Sequence, residues 1–427
     1  MILSLLPRDA LYALALLCKR LHLLALPIFL SKFNLGHAEQ SLCLNHVSFS
    51  AIRGLRTALF ISTLDSLEIG YSNITDGLLR FMSRMSKVSS VTLISDIPSH
   101  IRVDSPDFKL MSPFFNALAE KSCHRLSISG NILCSVQQRD RLQSLLQTLH
   151  TATLLSGFLF SRPFKFWTIR SLNFSPIYSL HLGGNADTLR GVLRYLVLPA
   201  LRKFQLTSRK FPPRVLDKFL ARHPEILSLK LHQKIDVDMG DQRPPVGYSS
   251  GLKSLTGDVS SLTYLLSRPE AMPALQSVRP TSVYIIRPAF SEFLKKLAHT
   301  PVSHLAFCLV DDTANINWLE RGLELPTVHI HVPNSDGADP KQRAECGLTR
   351  LTSMEVRLCF MTDRYWKLLE GIPGWLALFP ALTSVSFLHF PANLASNMQS
   401  ESGKAEFVKA ILSMCPLLEE VTFTDDE

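Results

Sequence analysis

Three short patterns contain residue types that bind metal ions or phosphate. His329-Ile-His331 would place two imidazoles on one face of a strand, where further ligands would complete a metal site. Asp236-Val-Asp-Met-Gly-Asp241 is similar to the start of a calcium loop but lacks the later bidentate glutamate. The pair Gly183-Gly184 lacks the spacing and the Lys-Ser/Thr of a phosphate-binding loop. We interpret these as strand-surface histidines, solvated loop acids and a turn, and we expect no metal and no cofactor.

Nucleophile and redox motifs are also missing from the sequence. It contains no Gly-x-Ser-x-Gly and no His-Glu-x-x-His segment, and its 8 cysteines include no Cys-x-x-Cys pair. Cys308, Cys359 and Cys415 lie in or beside apolar segments, and we interpret them as small core residues. We therefore predict that the chain is not an enzyme. A hydrolase would need a pocket with converging acid and base groups, which no pattern indicates.

Composition favours a folded chain with acidic partners. Of the 427 residues 46% are hydrophobic and 19% charged, and the net charge is +9. Basic residues concentrate from Arg202 to Arg222 around the single acid Asp217. We interpret this run as a solvated face of one repeat, and a docking patch for an acidic protein surface is the alternative. No aromatic-plus-basic RNA pattern accompanies it, so we expect no nucleic acid.

The apolar N-terminus does not predict a membrane segment. Its longest unbroken apolar run, Ala10 to Cys18, is flanked by charges and is far shorter than the about 20 residues of a membrane span. We expect no membrane contact and a location in the cytoplasm or nucleus.

The elements that would position any site follow a repeated cassette. A Pro or small residue is followed by Leu or Ile, and then by apolar residues at alternate positions. The clearest copies are Pro199–Leu206, Pro224–Leu231, Pro273–Val278, Pro301–Phe307, Pro380–Phe387 and Pro416–Phe423. Weaker copies begin at Leu252, Pro326 and Leu348, and most steps are then about 22 to 36 residues. Such units must stack to bury their apolar faces, which predicts a solenoid.

Amphipathic segments precede several cassettes, so we predict a unit of helix, proline turn and strand. The predicted helices are Pro213–Arg222, Ala289–Ala298 and Lys404–Met414. In the N-terminal half the predicted strands are Leu64–Ile69, Val88–Leu93, His124–Ile128 and Ile177–Leu182. Polar segments predict loops at Asp236–Ser250, Pro333–Gly347 and Pro391–Gly403. The predicted fold is an irregular leucine-rich-repeat-like α/β solenoid of parallel strands and helices.

Residues Pro7 to Leu30 predict two short helices. Asp9 is the predicted N-cap, Lys19 and Arg20 fit the last turn of the first helix, and Pro27 is expected to end the second. Taken alone, this segment predicts a helical cap on the open end of a solenoid.

The same segment resembles part of an F-box. Its start at Pro7-Arg-Asp-Ala-Leu11, its Cys18-Lys-Arg-Leu-His22 and its Ala25-Leu-Pro27 carry the resemblance. Together with the repeats, it resembles the F-box/leucine-rich-repeat-like proteins of the fungal type, with an F-box that is N-terminally truncated. The resemblance implies two domains, 1–33 partial F-box and 34–427 solenoid.

The resemblance also implies partners. It implies a substrate receptor that docks on a Skp-type adaptor within a cullin ubiquitin ligase and presents an unknown target protein. The adaptor-binding residues that it implies are Pro7, Leu11, Leu14, Leu17, Cys18 and Leu21. The alternative is a non-catalytic repeat scaffold for protein–protein interaction without a ubiquitin role.

Overall fold

A computed structural model of the chain divides into two compact units, Met1–Thr207 and Ser208–Glu427. The structure describes residues 2–35, 40–45, 48–94, 110–130, 142, 144–208, 211–232, 251–281, 287–310, 348–359, 365–377, 379–388 and 401–424. Asp236–Asp241, His329–His331 and the copy at Pro326 lie outside the described residues, as do the predicted loops Asp236–Ser250 and Pro333–Gly347.

The first unit begins with helices α1 (Arg8–Leu17) and α2 (Lys19–Ser31). A parallel sheet follows, in which the described strands pair in chain order. These strands are β1 (Ser41–Leu44), β2 (Thr63–Gly70), β3 (Lys87–Ile94), β4 (Arg125–Ile128), β5 (Thr151–Leu154), β6 (Ser179–Gly183) and β7 (Lys203–Thr207). The helices between them are α3 (Phe49–Thr57), α4 (Asp76–Arg84), α5 (Met111–Ala119), α6 (Phe164–Phe174) and α7 (Ala186–Leu193).

The second unit has the same construction. Its described strands also pair in parallel and in chain order. They are β8 (Ser228–His232), β9 (Ser254–Gly257), β10 (Ser277–Pro280), β11 (His304–Val310), β12 (Ser353–Cys359), β13 (Ser384–Leu388) and β14 (Glu420–Thr424). Its helices are α8 (Pro213–Arg222), α9 (Val259–Leu265), α10 (Arg287–Leu297), α11 (Tyr365–Leu376) and α12 (Glu401–Met414). The prediction of an α/β solenoid of parallel strands and helices is confirmed.

In five repeats the proline cassette forms a turn directly before the strand. At Pro199 the Leu201 N–H donates to the Leu198 carbonyl at 3.1 Å, which places proline second in a β-turn, where its fixed φ is favoured. Leu201 is buried. The same bond joins Ile226 to His223, Leu275 to Met272, Leu382 to Phe379 and Leu418 to Cys415. In these five repeats the spacing of Pro to Leu or Ile therefore encodes both the turn and the first core residue.

Neighbouring repeats are joined at the start of the strands by a shared acceptor. The Tyr178 carbonyl accepts from two consecutive N–H groups, those of Arg202 and Lys203, at 2.9 and 3.1 Å. Lys253 and Ser303 carbonyls play this part in the second unit. Side chains alternate along a strand, so this fixed register aligns equivalent side chains of neighbouring strands in columns. One apolar column is buried against the helices, and we call the column on the opposite face the outward column.

The N-terminal helices differ from the sequence prediction in three details. The N-cap is Pro7, and Asp9 lies in the first turn of α1. Cys18 is extended, with φ −158° and ψ 162°, so Lys19 and Arg20 begin α2 instead of ending α1. Helix α2 continues through Pro27 to Ser31, because burial of Phe29 and Leu30 offsets the cost of about 3 kcal/mol for an internal proline.

Elsewhere most predicted elements are present. Helix α8 has the predicted bounds, α10 and α12 differ by a few residues, and β2, β3, β4 and β6 match the four predicted strands. The loop predicted over Pro391–Gly403 is wrong at its end, since α12 begins at Glu401. Cys415 is buried as predicted, but Cys308 is only half-buried because it belongs to the outward column of β11. The predicted domain boundary at residue 33 stays a prediction.

Candidate functional site: an apolar groove at the N-terminal helices

Helices α1 and α2 form an antiparallel pair around Cys18. The start of α1 lies beside the end of α2, because Arg8 Nη2 donates to the Lys32 carbonyl at 3.0 Å. Lys32 Nζ in turn donates to the Leu6 carbonyl at 2.5 Å. The Arg8 guanidinium also lies 4.5 Å from the centre of the Phe33 ring. These contacts fix one end of the pair and leave the Cys18 end facing outward.

The pair is anchored on α3 by close packing. A Cβ added to Gly54 would lie 2.4 Å from Phe29 Cε1, so the Phe29 ring occupies the space that any larger side chain at this position of α3 would need. The Arg53 guanidinium lies 4.8 Å from the centre of the Tyr12 ring, which joins α3 to α1 as well. The position of the helix pair on the first unit is therefore set by its apolar inner face.

His22 fixes the Cys18 end of the pair. Its Nδ1 lies 3.1 Å from the Ala15 carbonyl, and its Nε2 lies 3.2 Å from the Leu59 backbone nitrogen. A carbonyl accepts and a backbone N–H donates, so these contacts require the donor at Nδ1 and the acceptor at Nε2. The histidine of the Cys-Lys-Arg-Leu-His segment is thus buried and ties α2 both to α1 and to the turn after α3.

A groove of about 610 Å³ opens between the Cys18 end of the pair and the end of α3. Its apolar lining comes from Ala15, Leu16, Leu23, Leu59 and Phe60. Lys19, Arg56 and Arg84 add positive charge, and the lining includes no acidic residue. Partial burial lowers the pKa of the Arg84 guanidinium, which also donates to the Leu55 carbonyl at 3.0 Å. The groove therefore suits an apolar partner surface with acidic groups at its edge.

Three exposed leucines, Leu16, Leu23 and Leu59, line this groove, and Leu17 and Leu24 follow two of them in the sequence. Leu16, Leu17, Leu23 and Leu24 of the helix pair and Leu59 after α3 are all exposed, and Leu17 is 71% accessible. Single exposed apolar residues are ordinary, but a contiguous set marks an interaction surface. We call these five residues the leucine surface.

The six residues that the F-box resemblance implies occupy different environments. Leu17, Cys18 and Pro7 are exposed, and Leu14 and Leu21 are half-buried. Leu11 is fully buried and packs inside the first unit, so a direct contact with a partner is not available to it. Of the six, Cys18 lines the groove, and Leu17 directly precedes it at the end of α1.

Sequence reasoning missed Leu16, Leu23, Leu24 and Leu59. A signal for the first three was present, since consecutive helical residues point about 100° apart and Leu16-Leu17 and Leu23-Leu24 cannot all face one core. Leu59 lies in a turn and carries no comparable pattern.

The outward column of the strands offers a second surface. In the first unit it is mainly uncharged, and His181 Nε2 lies 2.9 Å from Thr207 Oγ1 there. In the second unit it holds an ion pair between Arg279 Nη2 and Glu355 Oε1 at 2.5 Å.

Among the described residues, the carboxylate with a perturbed pKa is buried. Burial raises the pKa of Asp217 to about 6, and Tyr264 donates to its carboxylate at 2.7 Å. Asp217 is only 4% exposed, which denies a substrate access. No group of three or more His, Cys, Asp or Glu in the described part of the chain could hold a metal ion. Within the same residues, every helix is too short or too polar to cross a membrane.

Comparisons with known proteins give distant structural similarity. No protein-family model matches the chain, and no curated protein matches its sequence. The leucine-rich repeat-containing protein LegL7 from Legionella pneumophila is similar at a TM-score of 0.40 and 14% identity, over 84% of this chain and 91% of that one. The Rad7 and Elc1 complex of yeast is similar at a TM-score of 0.33 and 13% identity, over 79% of this chain and 73% of that one. Similarity of this degree assigns no function.

Proposed function

We propose that this chain is the substrate-recognition subunit of a Skp–cullin–F-box ubiquitin ligase, with α1 and α2 docking on a Skp-type adaptor. The observation that carries the proposal is the leucine surface, four of whose five residues lie on the helices whose sequence resembles an F-box. Covering exposed apolar area contributes about 25 cal/mol per Å², so these leucines are the natural source of binding energy.

The burial pattern divides the implied adaptor residues by role. Leu17 and Cys18 contact the adaptor directly, together with Leu16, Leu23 and Leu24. Pro7 starts α1, and Leu11 packs inside the unit. Leu14 and Leu21 are half-buried, so each packs partly inside the unit and contacts the adaptor with the part that remains exposed. The target protein binds the outward column of the strands or the loops beside it.

The test is a substitution at Leu17. Because this side chain is 71% exposed, Leu17→Asp is expected to leave thermal unfolding unchanged while co-purification with the Skp-type adaptor is lost. The matched control is Leu412→Asp, at a 43% exposed leucine of α12, which is expected to change neither. Leu14→Asp also loses the adaptor but lowers stability, since Leu14 is half-buried.

A folded Leu17→Asp variant that still co-purifies with the adaptor would remove Leu17 from the interface. If the wild-type chain, folded and pure, fails to bind the adaptor and the cullin, the proposal is wrong.

A repeat scaffold without a ubiquitin role is the second candidate. The packing of Phe29 on Gly54 favours it, because this contact makes α1 and α2 a cover for the first repeat whether or not they bind anything. The same co-purification distinguishes the two, since a scaffold recovers partner proteins but neither adaptor nor cullin.

A further inference from the structure

An exposed stripe of aromatic and basic residues follows helix α6. Phe166, Arg170 and Phe174 are four residues apart and therefore lie on one helix face. Phe166 and Phe174 are 61% and 60% exposed, although α6 has a buried face that supplies core residues. The Arg170 guanidinium lies 6.0 Å from the centre of the Phe174 ring. The stripe combines large apolar area with positive charge.

The next loop extends the stripe. Asn173 Oδ1 accepts from the Val197 N–H at 2.9 Å, and Asn173 Nδ2 donates to the Tyr195 carbonyl at 2.9 Å. These two bonds hold the loop after α7 against the end of α6, next to Phe174. Tyr195 and Val197 are both exposed. The loop thus presents its apolar side chains from a fixed backbone.

Tyr178 directly precedes β6, four residues after Phe174, and Lys203 begins β7, six residues after Val197. Lys203 Nζ lies 5.6 Å from the centre of the Tyr178 ring, and the Lys203 N–H donates to the Tyr178 carbonyl at 3.1 Å. We call the seven residues of this patch the α6–α7 surface. They are Phe166, Arg170, Phe174, Tyr178, Tyr195, Val197 and Lys203.

Charge in this part of the first unit is strongly one-sided. Residues 144–207 contain seven basic side chains and a single acid, Asp187, which lies in the first turn of α7, away from the loop that follows it. The basic residues are Arg162, Lys165, Arg170, Arg190, Arg194, Arg202 and Lys203. Such a surface attracts and orients an acidic partner.

We propose that the α6–α7 surface binds an acidic segment of a partner protein that also carries apolar side chains. Carboxylates of the segment pair with Arg170 and Lys203, and its apolar side chains cover Phe166, Phe174 and Val197. Exposed Tyr, Phe and Arg are the residue types that dominate binding energy at protein interfaces. This binding does not depend on the proposed adaptor role, because none of its residues belongs to the N-terminal helices.

A protein segment fits better than single-stranded nucleic acid. Base stacking requires open ring faces along a groove, whereas one face of Phe174 and one of Tyr178 already carry a cation. The aliphatic side chain of Val197 can contact an apolar side chain of a peptide, but it has no ring face on which a base could stack.

The test measures binding of short labelled peptides to the full chain by fluorescence anisotropy. The probe alternates Glu with Leu and Phe. A second peptide replaces Leu and Phe by Ser, and a third replaces Glu by Lys. The first is expected to bind, the second more weakly, and the third not at all.

Arg170→Glu/Lys203→Glu should weaken binding of the first peptide at least about tenfold, and Phe174→Ser should weaken it about threefold or more. All three side chains are exposed, so the variants should fold.

The matched control is Arg80→Glu/Lys87→Glu, which makes the same change in net charge at exposed positions of α4 and β3. Equal loss in the control would reduce the effect to net charge and overturn the proposal. So would failure of the first peptide to bind, or tighter binding of an oligothymidine that competes with it. Self-association that Phe174→Ser abolishes would assign the surface to a second copy of the chain instead.

Discussion

Asp217 is a buried carboxylate whose surroundings favour its protonated form. Burial raises its pKa from 3.8 to about 6, and the Tyr264 hydroxyl partly offsets this by donating to Oδ2 at 2.7 Å. Its Oδ1 has no hydrogen-bond partner among the described residues. Because the folded state holds this proton more tightly than the unfolded state, the contribution of Asp217 to stability is fully present below about pH 4 and is lost as pH rises through about 6.

Asp217→Asn should therefore stabilise the protein at neutral pH. The amide keeps an acceptor for Tyr264 and removes the buried charge, which corresponds to at most about 3 kcal/mol at pH 7 and to almost nothing at pH 4. Chemical denaturation of wild type and variant at the two pH values measures the difference. An equal effect at both would show that the Asp217 carboxylate carries no buried charge at pH 7.

Tyr264→Phe tests the same pair from the other side. Loss of the hydroxyl leaves the whole carboxylate unpartnered and raises the Asp217 pKa further, since the Tyr264 hydrogen bond lowers it. The destabilisation should be larger at pH 7 than at pH 4, again by denaturation. Equal losses at both values would mean that Tyr264 contributes packing alone.

The burial of Asp217 was only partly visible in the sequence. Its basic neighbours Arg214, Lys218 and Arg222 are exposed, as predicted for a solvated face. Helical spacing, however, places Asp217 one turn from Leu220 on the buried side of α8. The prediction of a solvated face followed the charged type of this residue, whereas its helical spacing indicated burial correctly.

At the scale of elements, the contact between α2 and α3 at Gly54 decides how the N-terminal helices are held. The Cβ of Gly54→Ala would lie 2.4 Å from Phe29 Cε1 and 3.2 Å from Leu30 Cδ2. Overpacking of about 1 to 3 kcal/mol outweighs the gain of up to about 1 kcal/mol from alanine in a helix. Thermal unfolding of Gly54→Ala should therefore occur at a lower temperature than in wild type.

Gly374→Ala in α11 is the matched control. The nearest atom to its added Cβ would be Met414 Cε at 3.9 Å, an ordinary contact, so helix propensity should raise stability slightly. Combining Gly54→Ala with Phe29→Leu should recover part of the loss, because leucine vacates the space of the ring. If Gly54→Ala is as stable as wild type, α2 is not packed on α3 as described.

Elements with a strong local signal were the ones that could be predicted. Proline at the second position of a turn, followed by alternating apolar residues, located β7, β8, β10, β13 and β14. Strands β1 and β5, of four residues each, were not predicted. The prediction that α2 ends at Pro27 was wrong because tertiary burial of Phe29 and Leu30 keeps α2 helical beyond this residue. No local sequence pattern indicates that burial.

At the scale of the whole molecule, the repeat period was enough to predict parallel strands with helical connections, because one cassette per unit allows few other arrangements. The division at Thr207 and Ser208 was not predicted, since the cassette continues across it. Four of the five residues of the leucine surface, all except Leu17, were not predicted either, because exposure depends on which helix face a neighbouring element covers.

The central claim is that α1 and α2 bind a Skp-type adaptor through the leucine surface. Amide hydrogen exchange of the full chain, with and without the adaptor from its own organism, tests this most directly. The account predicts slower exchange in α1, in α2 and in the turn that contains Leu59, with the strands of both units unchanged. No change in the N-terminal helices, or protection confined to the strands, would contradict it.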